Sequence, residues 1–188
     1  MTMTPSSMLP LGTPAPAFEL PDTISGQRLA YAALRGTTAT VVIFVCNHCP
    51  YVKHIQAELL RVVHDYQPCG IAFIAISSND AVAYPEDGPD RMKAEAQAQG
   101  YTFPYLYDET QDVAHAFHAA CTPEFYVFDR ADALVYRGRM DAATPKNDAV
   151  NDGRDLRAAL DAVLANKPVN PTQLPSYGCN IKWGSGAR

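Results

Sequence analysis

Apolar residues change their period along the first half of this chain, and each change marks an element. TATVVIFV, from Thr38 to Val45, is β-branched and almost wholly apolar, the mark of a strand buried on both faces of a sheet. After it Val52, Ile55, Leu59, Val62 and Tyr66 recur at three- and four-residue steps, one stripe of an amphipathic helix. GIAFIAIS, from Gly70 to Ser77, reads as a second buried strand. GPDRMKAEAQAQG reads as a helix with Pro89 near its start and Gly100 at its end. TQDVAHAFHAA is a shorter helix, EFYVFD and ALVYRGR form a hairpin, and GRDLRAALDAVLANKP is a final helix stopped before Pro168.

The flanks carry weaker patterns. Residues 1–23 are rich in Pro, Thr and Ser and read as an extended arm, and GQRLAYAALRG as a short edge strand and turn. The segment from Pro168 onward, PVNPTQLPSYGCNIKWGSGAR, reads as irregular. The resulting order is strand, helix, strand, helix, helix, hairpin, helix. Its first unit predicts a right-handed parallel crossover, and the hairpin adds antiparallel strands to the same sheet. The expected fold is α/β: a mixed sheet flanked by helices, forming a domain over 11–166, with an irregular C-terminal extension over 167–188.

Composition narrows the function classes. A chain of 188 residues is long enough to bury a core as one domain. A net charge of −5 gives no electrostatic reason to expect nucleic acid or an anionic membrane as partner. No apolar run approaches the ~18 residues of a membrane span. No Lys or Arg precedes Arg28, so the basic region of a secretory signal is missing and a cytoplasmic location is expected. Five cysteines, Cys46, Cys49, Cys69, Cys121 and Cys179, are an odd count, and without an export signal a structural disulfide framework is not expected. Reduced thiols, a metal site or a working redox pair remain.

The handover from strand to helix, VCNHCPYVK, carries two of them. Proline is favoured at the first helical position, where its missing N–H has no partner to lose. Pro50 takes that place and makes Cys49 the capping residue. Its sulfur then lies among unpaired backbone N–H groups at the positive end of the helix dipole, which favours the reactive thiolate. Cys46, in the turn leaving the strand, lacks that field. Cys49 is therefore the expected nucleophile and Cys46 the neighbour that closes a disulfide onto it. A C-x-x-C at such a junction reads as a redox motif.

Metal binding is the competing reading. Cys46, His48, Cys49 and, further along, His54 offer thiolate and imidazole ligands, but no second cysteine pair at comparable spacing completes a structural zinc site. His48 is otherwise a modulator of thiol acidity or an exposed residue, and His115 and His118 belong to the surface of the short helix. Thr122–Pro123, entering a strand, is a candidate cis peptide, and a cis bond would turn its loop toward the Cys49 end of the sheet. Cys121 is then either a third redox participant or a small buried residue at a strand start. Cys69 is expected to be structural. Cys179 is either a distant resolving thiol or a packed residue.

Eight segments carry a wider likeness: LGTPAPAFELPD, VVIFVCNHCPYVKHI, AISSND with YPEDGPDRM, FPYLYDETQDVAHAF, CTPEFYVFD, LVYRGRMD and GCNIKW. Through them the chain resembles the thioredoxin-fold superfamily, and more closely its peroxiredoxin-like branch, the alkyl hydroperoxide reductase/redoxin-related proteins. The resemblance implies a thioredoxin-like sheet flanked by helices, a cis-proline loop beside the cysteines and thiol-dependent chemistry. It also equates Cys49 with the peroxidatic cysteine. True peroxiredoxins share a P-x-x-x-T-x-x-C signature and an Arg entering a later strand. Here the Thr position is Cys46, the Pro position Val42 and the Arg position Pro123. The groups that stabilise charge on a departing peroxide oxygen are therefore replaced.

The expected function is a thiol–disulfide oxidoreductase with Cys49 as nucleophile, Cys46 as its partner and Pro123 shaping the site. Thr122, His48, Cys121 and Cys179 are further redox or modulating candidates. The first alternative is an antioxidant thiol peroxidase with Cys49 peroxidatic and Cys46 resolving, and the second is a metal-binding protein using Cys46, His48 and Cys49. Expected partners are protein or small-molecule disulfides or peroxides and an external thiol reductant, without nucleic acid, membrane or cofactor.

Overall fold

The structure, a computed structural model, describes residues 3–185. Its strands are β1 (Met3–Pro5), β2 (Glu19–Pro21), β3 (Arg28–Ala30), β4 (Ala39–Phe44), β5 (Ile71–Ser77), β6 (Tyr105–Tyr107), β7 (Cys121–Thr122), β8 (Glu124–Asp129), β9 (Leu134–Gly138) and β10 (Tyr177–Asn180). Its helices are α1 (Tyr31–Leu34), α2 (Pro50–Tyr66), α3 (Pro89–Gln99), α4 (Asp112–Ala116) and α5 (Arg154–Leu164).

The main sheet has the order β6-β5-β4-β8-β9. Strands β4, β5 and β6 run parallel, while β8 is antiparallel to β4 and β9 to β8. The β4–α2–β5 crossover and the β8–β9 hairpin are the two units expected from the pattern. Strand β6 was not: three residues after Pro104 are too short for a period to register.

Alternation along β4 sorts the core into two layers, because successive side chains leave opposite faces. Ala39, Val41 and Ile43 pack with Val52, Ile55 and Leu59 of α2 and with Leu156 and Leu160 of α5. Val42 and Phe44 pack on the other side with Leu20, Tyr31, Phe117 and Phe128. The whole predicted α2 stripe, Val52, Ile55, Leu59, Val62 and Tyr66, is buried. Phe117 holds the second layer together, its ring centroid 5.4 Å from Phe44, 5.3 Å from Tyr126 and 5.9 Å from Phe128. Phe117→Ala is expected to lower unfolding free energy by about 3–5 kcal/mol, read from urea denaturation; a loss under about 1 kcal/mol would mean that this layer is not a packed core.

A second, three-stranded sheet has the order β1-β10-β7, both pairs antiparallel. The C-terminal segment, irregular elsewhere, thus contributes one short strand. β10 lies directly on β7, with Cys179 opposite Thr122. Gly178 makes that approach possible: a Cβ there would run into the Thr122 carbonyl. The Thr122–Pro123 bond joining β7 to β8 is cis. Cys69 is exposed in a turn after α2 rather than packed into the structure. His115 is exposed on α4, and His118 lies beyond that helix in a left-handed conformation, φ 52°. No helix among the described residues is long and apolar enough to cross a membrane.

Candidate active site

The site forms where β4 ends and α2 begins. Cys49 occupies the capping position with extended backbone (φ −72°, ψ 119°), Pro50 is the first helical residue, and the Lys53 N–H donates to the Cys49 carbonyl at 3.0 Å. The local geometry is the one that the proline dictates. What surrounds the sulfur comes from remote parts of the chain.

Cys49 Sγ lies 2.8 Å from Cys179 Sγ, on β10, and 3.3 Å from the Thr122 carbonyl of the cis-proline loop. Cys46 Sγ lies 3.5 Å from the Thr122 hydroxyl. All three sulfurs are shielded: Cys49 is 0% exposed, Cys179 1% and Cys46 2%. The Cys179 thiol, hydrogen-bonding to Cys49, is the largest influence holding Cys49 well below the ordinary thiol range. Hydrogen bonds from Cys46, from the Thr122 hydroxyl and from the Val52 backbone N–H act in the same direction, and burial opposes them. The same contact with Cys49, and then burial, pushes Cys46 and Cys179 up. Within the cluster, ionisation is thus favoured at Cys49 over its two neighbours.

His48 sits beside this cluster. Its Nδ1 meets Asp87 Oδ2 at 2.5 Å, and its ring stacks on Tyr84 with centroids 5.4 Å apart. Asp87 is completely buried. It accepts from the Asn47 N–H at 2.8 Å, the His48 N–H at 3.3 Å and the Asn79 amide at 2.7 Å, so the carboxylate is compensated by donors as a buried charge requires. Asn79 in turn accepts from the Lys182 backbone N–H at 2.9 Å, tying the segment after β10 to the His48–Asp87 pair. Asp87, Asn79 and Lys182 lie in segments that carried the family resemblance, but nothing in their pattern singled them out as site residues: a polar turn with an acid in it looks the same whether it is buried or solvated.

Cys121, the neighbour of Thr122 on β7, presents its side chain away from the cluster. Its Sγ is 3.9 Å from Glu124 Oε2 and 3.9 Å from the Ser176 carbonyl, and burial pushes its thiol up. Glu124 is buried too, accepting from the Ala120 N–H at 2.9 Å and the Tyr126 hydroxyl at 2.8 Å, and burial raises its carboxyl above the usual range.

Among the described residues one set of metal-ligating side chains converges. Cys46, His48 and Asp87 place ligand atoms within 4.8 Å of one another. The set differs from the sequence-based one: Asp87 has replaced Cys49, and His54 stands apart. Both Asp87 oxygens already accept N–H donors, and an ion would have to displace them.

Beside the cluster opens a cleft of about 370 Å³. It is lined by Tyr51, two residues after Cys49, by Pro123 of the cis-proline loop, by Met140 and Ala143, and by Ser176 and Tyr177 leading into β10. The arrangement thus provides a thiol whose ionisation is favoured, a second thiol in contact with it, a third three residues upstream in the chain, and a cleft close by.

The chain is similar to known proteins at three levels. It is 52% identical, with a TM-score of 0.97, to the crystal structure of an uncharacterized conserved protein from Geobacillus kaustophilus, over 100% of this chain and 99% of that one. A Mycobacterium tuberculosis (strain CDC 1551 / Oshkosh) protein carrying the provisional name peroxiredoxin MT2597 is 28% identical over 124 residues, 66% of this chain and 73% of that protein. The thioredoxin domain of a thiol-disulfide oxidoreductase from Bacteroides vulgatus, at 14% identity and a TM-score of 0.61 over 79% of this chain and 96% of that one, shares the fold alone. The family model described as AhpC/TSA matches residues 11–137, a span that holds Cys46, Cys49, Asp87 and the cis-proline. On a thioredoxin-like fold, and through that match, the chain belongs to the AhpC/TSA family.

Proposed function

We propose that this protein is a thiol–disulfide oxidoreductase in which Cys49 attacks a small or flexible disulfide. The observation that carries the reading is the contact of the Cys49 sulfur, at the start of α2, with the Cys179 sulfur. The Cys49 thiolate attacks one sulfur of the substrate disulfide, forming a mixed disulfide and expelling a thiolate. A second thiolate of the protein then attacks the Cys49 sulfur and expels the remaining half of the substrate. Cys46, three residues upstream, serves as that second thiol in the C-x-x-C pair. The substrate gains two electrons and two protons, and an external dithiol reopens the protein disulfide by exchange. Pro123, flanking the cleft in the position where the resembling peroxidases carry an Arg, leaves no guanidinium there to polarise a peroxide.

Thiol peroxidase activity is the second reading, and two observations favour it. Cys49 is fully buried, which suits an oxidant as small as a peroxide. The Thr122 hydroxyl, arriving from the cis-proline loop, stands near the sulfurs where the motif itself has lost its threonine. In that reading Cys49 passes through a sulfenic acid, and the resolving thiol displaces hydroxide as water.

The fully reduced protein separates the two when a small disulfide and hydrogen peroxide are offered in parallel. Turnover of the disulfide, with peroxide consumed no faster than by an unactivated thiol, is the expected result. Peroxide consumption orders of magnitude above that of an unactivated thiol would put the peroxidase in first place.

A further inference from the structure

We propose that Cys179, on β10 of the C-terminal segment, is the thiol that first closes on Cys49. The inference rests on the reading of Cys49 as nucleophile, and it moves the expulsion of the substrate's second half from Cys46 to a third cysteine, with Cys46 closing the C-x-x-C disulfide afterwards. The primary observation is the contact: Cys179 Sγ lies 2.8 Å from Cys49 Sγ although 130 residues separate them in the chain.

The contact is built by the fold. β10 is held on both edges, by β1 and by β7, with Cys179 opposite Met3 on one side and Thr122 on the other. Beyond the strand the Ile181 N–H donates to the Ala120 carbonyl at 3.1 Å, the Lys182 N–H to Asn79 at 2.9 Å and the Gly184 N–H to Gln111 at 2.8 Å. Gly178 lets the strand lie against Thr122 closely enough for the next side chain to reach α2. The position of the Cys179 sulfur is consequently fixed from three directions. The Lys182 side chain, held by the Asn180 carbonyl at 2.6 Å, places positive charge on the same segment, a smaller influence on Cys179 than the Cys49 contact and burial that push its thiol up.

Once Cys49 carries half of a substrate, its sulfur no longer holds the thiolate charge that kept the neighbouring thiols protonated. Cys179, deprotonated, attacks the Cys49 sulfur of the mixed disulfide. A Cys49–Cys179 bond forms, the bond from Cys49 to the substrate breaks, and the electron pair leaves on the substrate sulfur, which takes up the proton. Cys46 then exchanges with that disulfide, freeing the Cys179 thiolate and leaving the Cys46–Cys49 bond for the external dithiol. No oxidant beyond the substrate disulfide is consumed.

The test uses the full chain in a Cys69→Ser background, because that exposed thiol would otherwise react. Reduced protein is treated with one equivalent of diamide, a two-electron azodicarbonyl oxidant, and its disulfides are located by peptide mapping. In Cys46→Ser the expected product is an intramolecular Cys49–Cys179 disulfide with loss of two thiols. A Cys46→Ser protein that keeps all its thiols, or links any other pair, overturns the proposal. Cys179→Ala supplies a second readout: closure on Cys49 is expected to slow at least tenfold, and an unchanged rate overturns the proposal equally. Failure of the underlying reading looks different, since Cys49→Ser would then keep its turnover even if Cys49 and Cys179 map together.

Discussion

Cys49→Ser is expected to lower disulfide-reducing turnover by roughly two orders of magnitude or more, because only a thiolate is an effective nucleophile toward disulfide sulfur. A serine hydroxyl is not ionised near neutral pH and would not be, even with the donors that surround Cys49. The replacement is small, and the cavity it leaves is less than a methylene, so the fold should persist and the loss should fall on kcat. Cys69→Ser, at an exposed turn on the far side of α2, serves as the matched control and is expected to leave turnover at the wild-type level. The measurement is steady-state reduction of a small disulfide with an excess dithiol. Turnover retained by Cys49→Ser would remove Cys49 from the role of attacker and return the search to the remaining thiols. Thiol counting on the same samples separates a lost nucleophile from lost folding.

How much of this site could be seen in the sequence depends on the distance over which each contact is made. The capping of α2 by Cys49 follows from Pro50 alone, one residue away, and the β4–α2–β5 crossover follows from a change of period within forty residues. The cis-proline and its placement beside the sulfur were legible from Thr122–Pro123 at a strand entry. In the structure that loop does face Cys46 and Cys49, through Thr122. Contacts set by topology were harder. The Cys179 contact depends on a four-residue strand in a Pro-rich segment, where no hydrophobic period is long enough to register, and on Gly178, whose role is visible only once Thr122 is opposite it. His48 was read as either a modulator or an exposed side chain, and the structure holds its ring against Asp87, away from solvent. Yet Asp87 lies in PEDGP, a string of turn formers whose letters say nothing of burial. Cys121 shows the converse. Its place at the start of a strand was legible, but strand alternation turns the residue after it toward the cluster and Cys121 itself toward Glu124.

The acidity of Cys49 makes the second large prediction, and it concerns pH. A thiol with an ordinary pKa of about 8.5 loses roughly 80-fold of its thiolate between pH 8 and pH 6. Cys49 is held well below that range, first by the Cys179 thiol and then by Cys46, Thr122 and the Val52 N–H. Lowering the folded-state value keeps the group ionised as pH falls. The rate at which reduced protein attacks a small uncharged electrophile such as iodoacetamide should therefore stay level from pH 8 to pH 6, with Cys49 identified as the alkylated residue by mass spectrometry. Removing the strongest donor gives the internal check. In Cys179→Ala the hydrogen bond that most favours the thiolate is gone while burial, which favours the thiol, remains. The acid limb of the profile should move up in pH toward the ordinary thiol range. A wild-type rate that falls with pH as an ordinary thiol does would mean that burial outweighs the donors and that Cys49 rests as a thiol. A level wild-type profile left unmoved by Cys179→Ala would assign the acidity to the helix terminus, Cys46 and Thr122. In that case the capping position read from Pro50, together with Cys46 and Thr122, would explain why this cysteine is the reactive one.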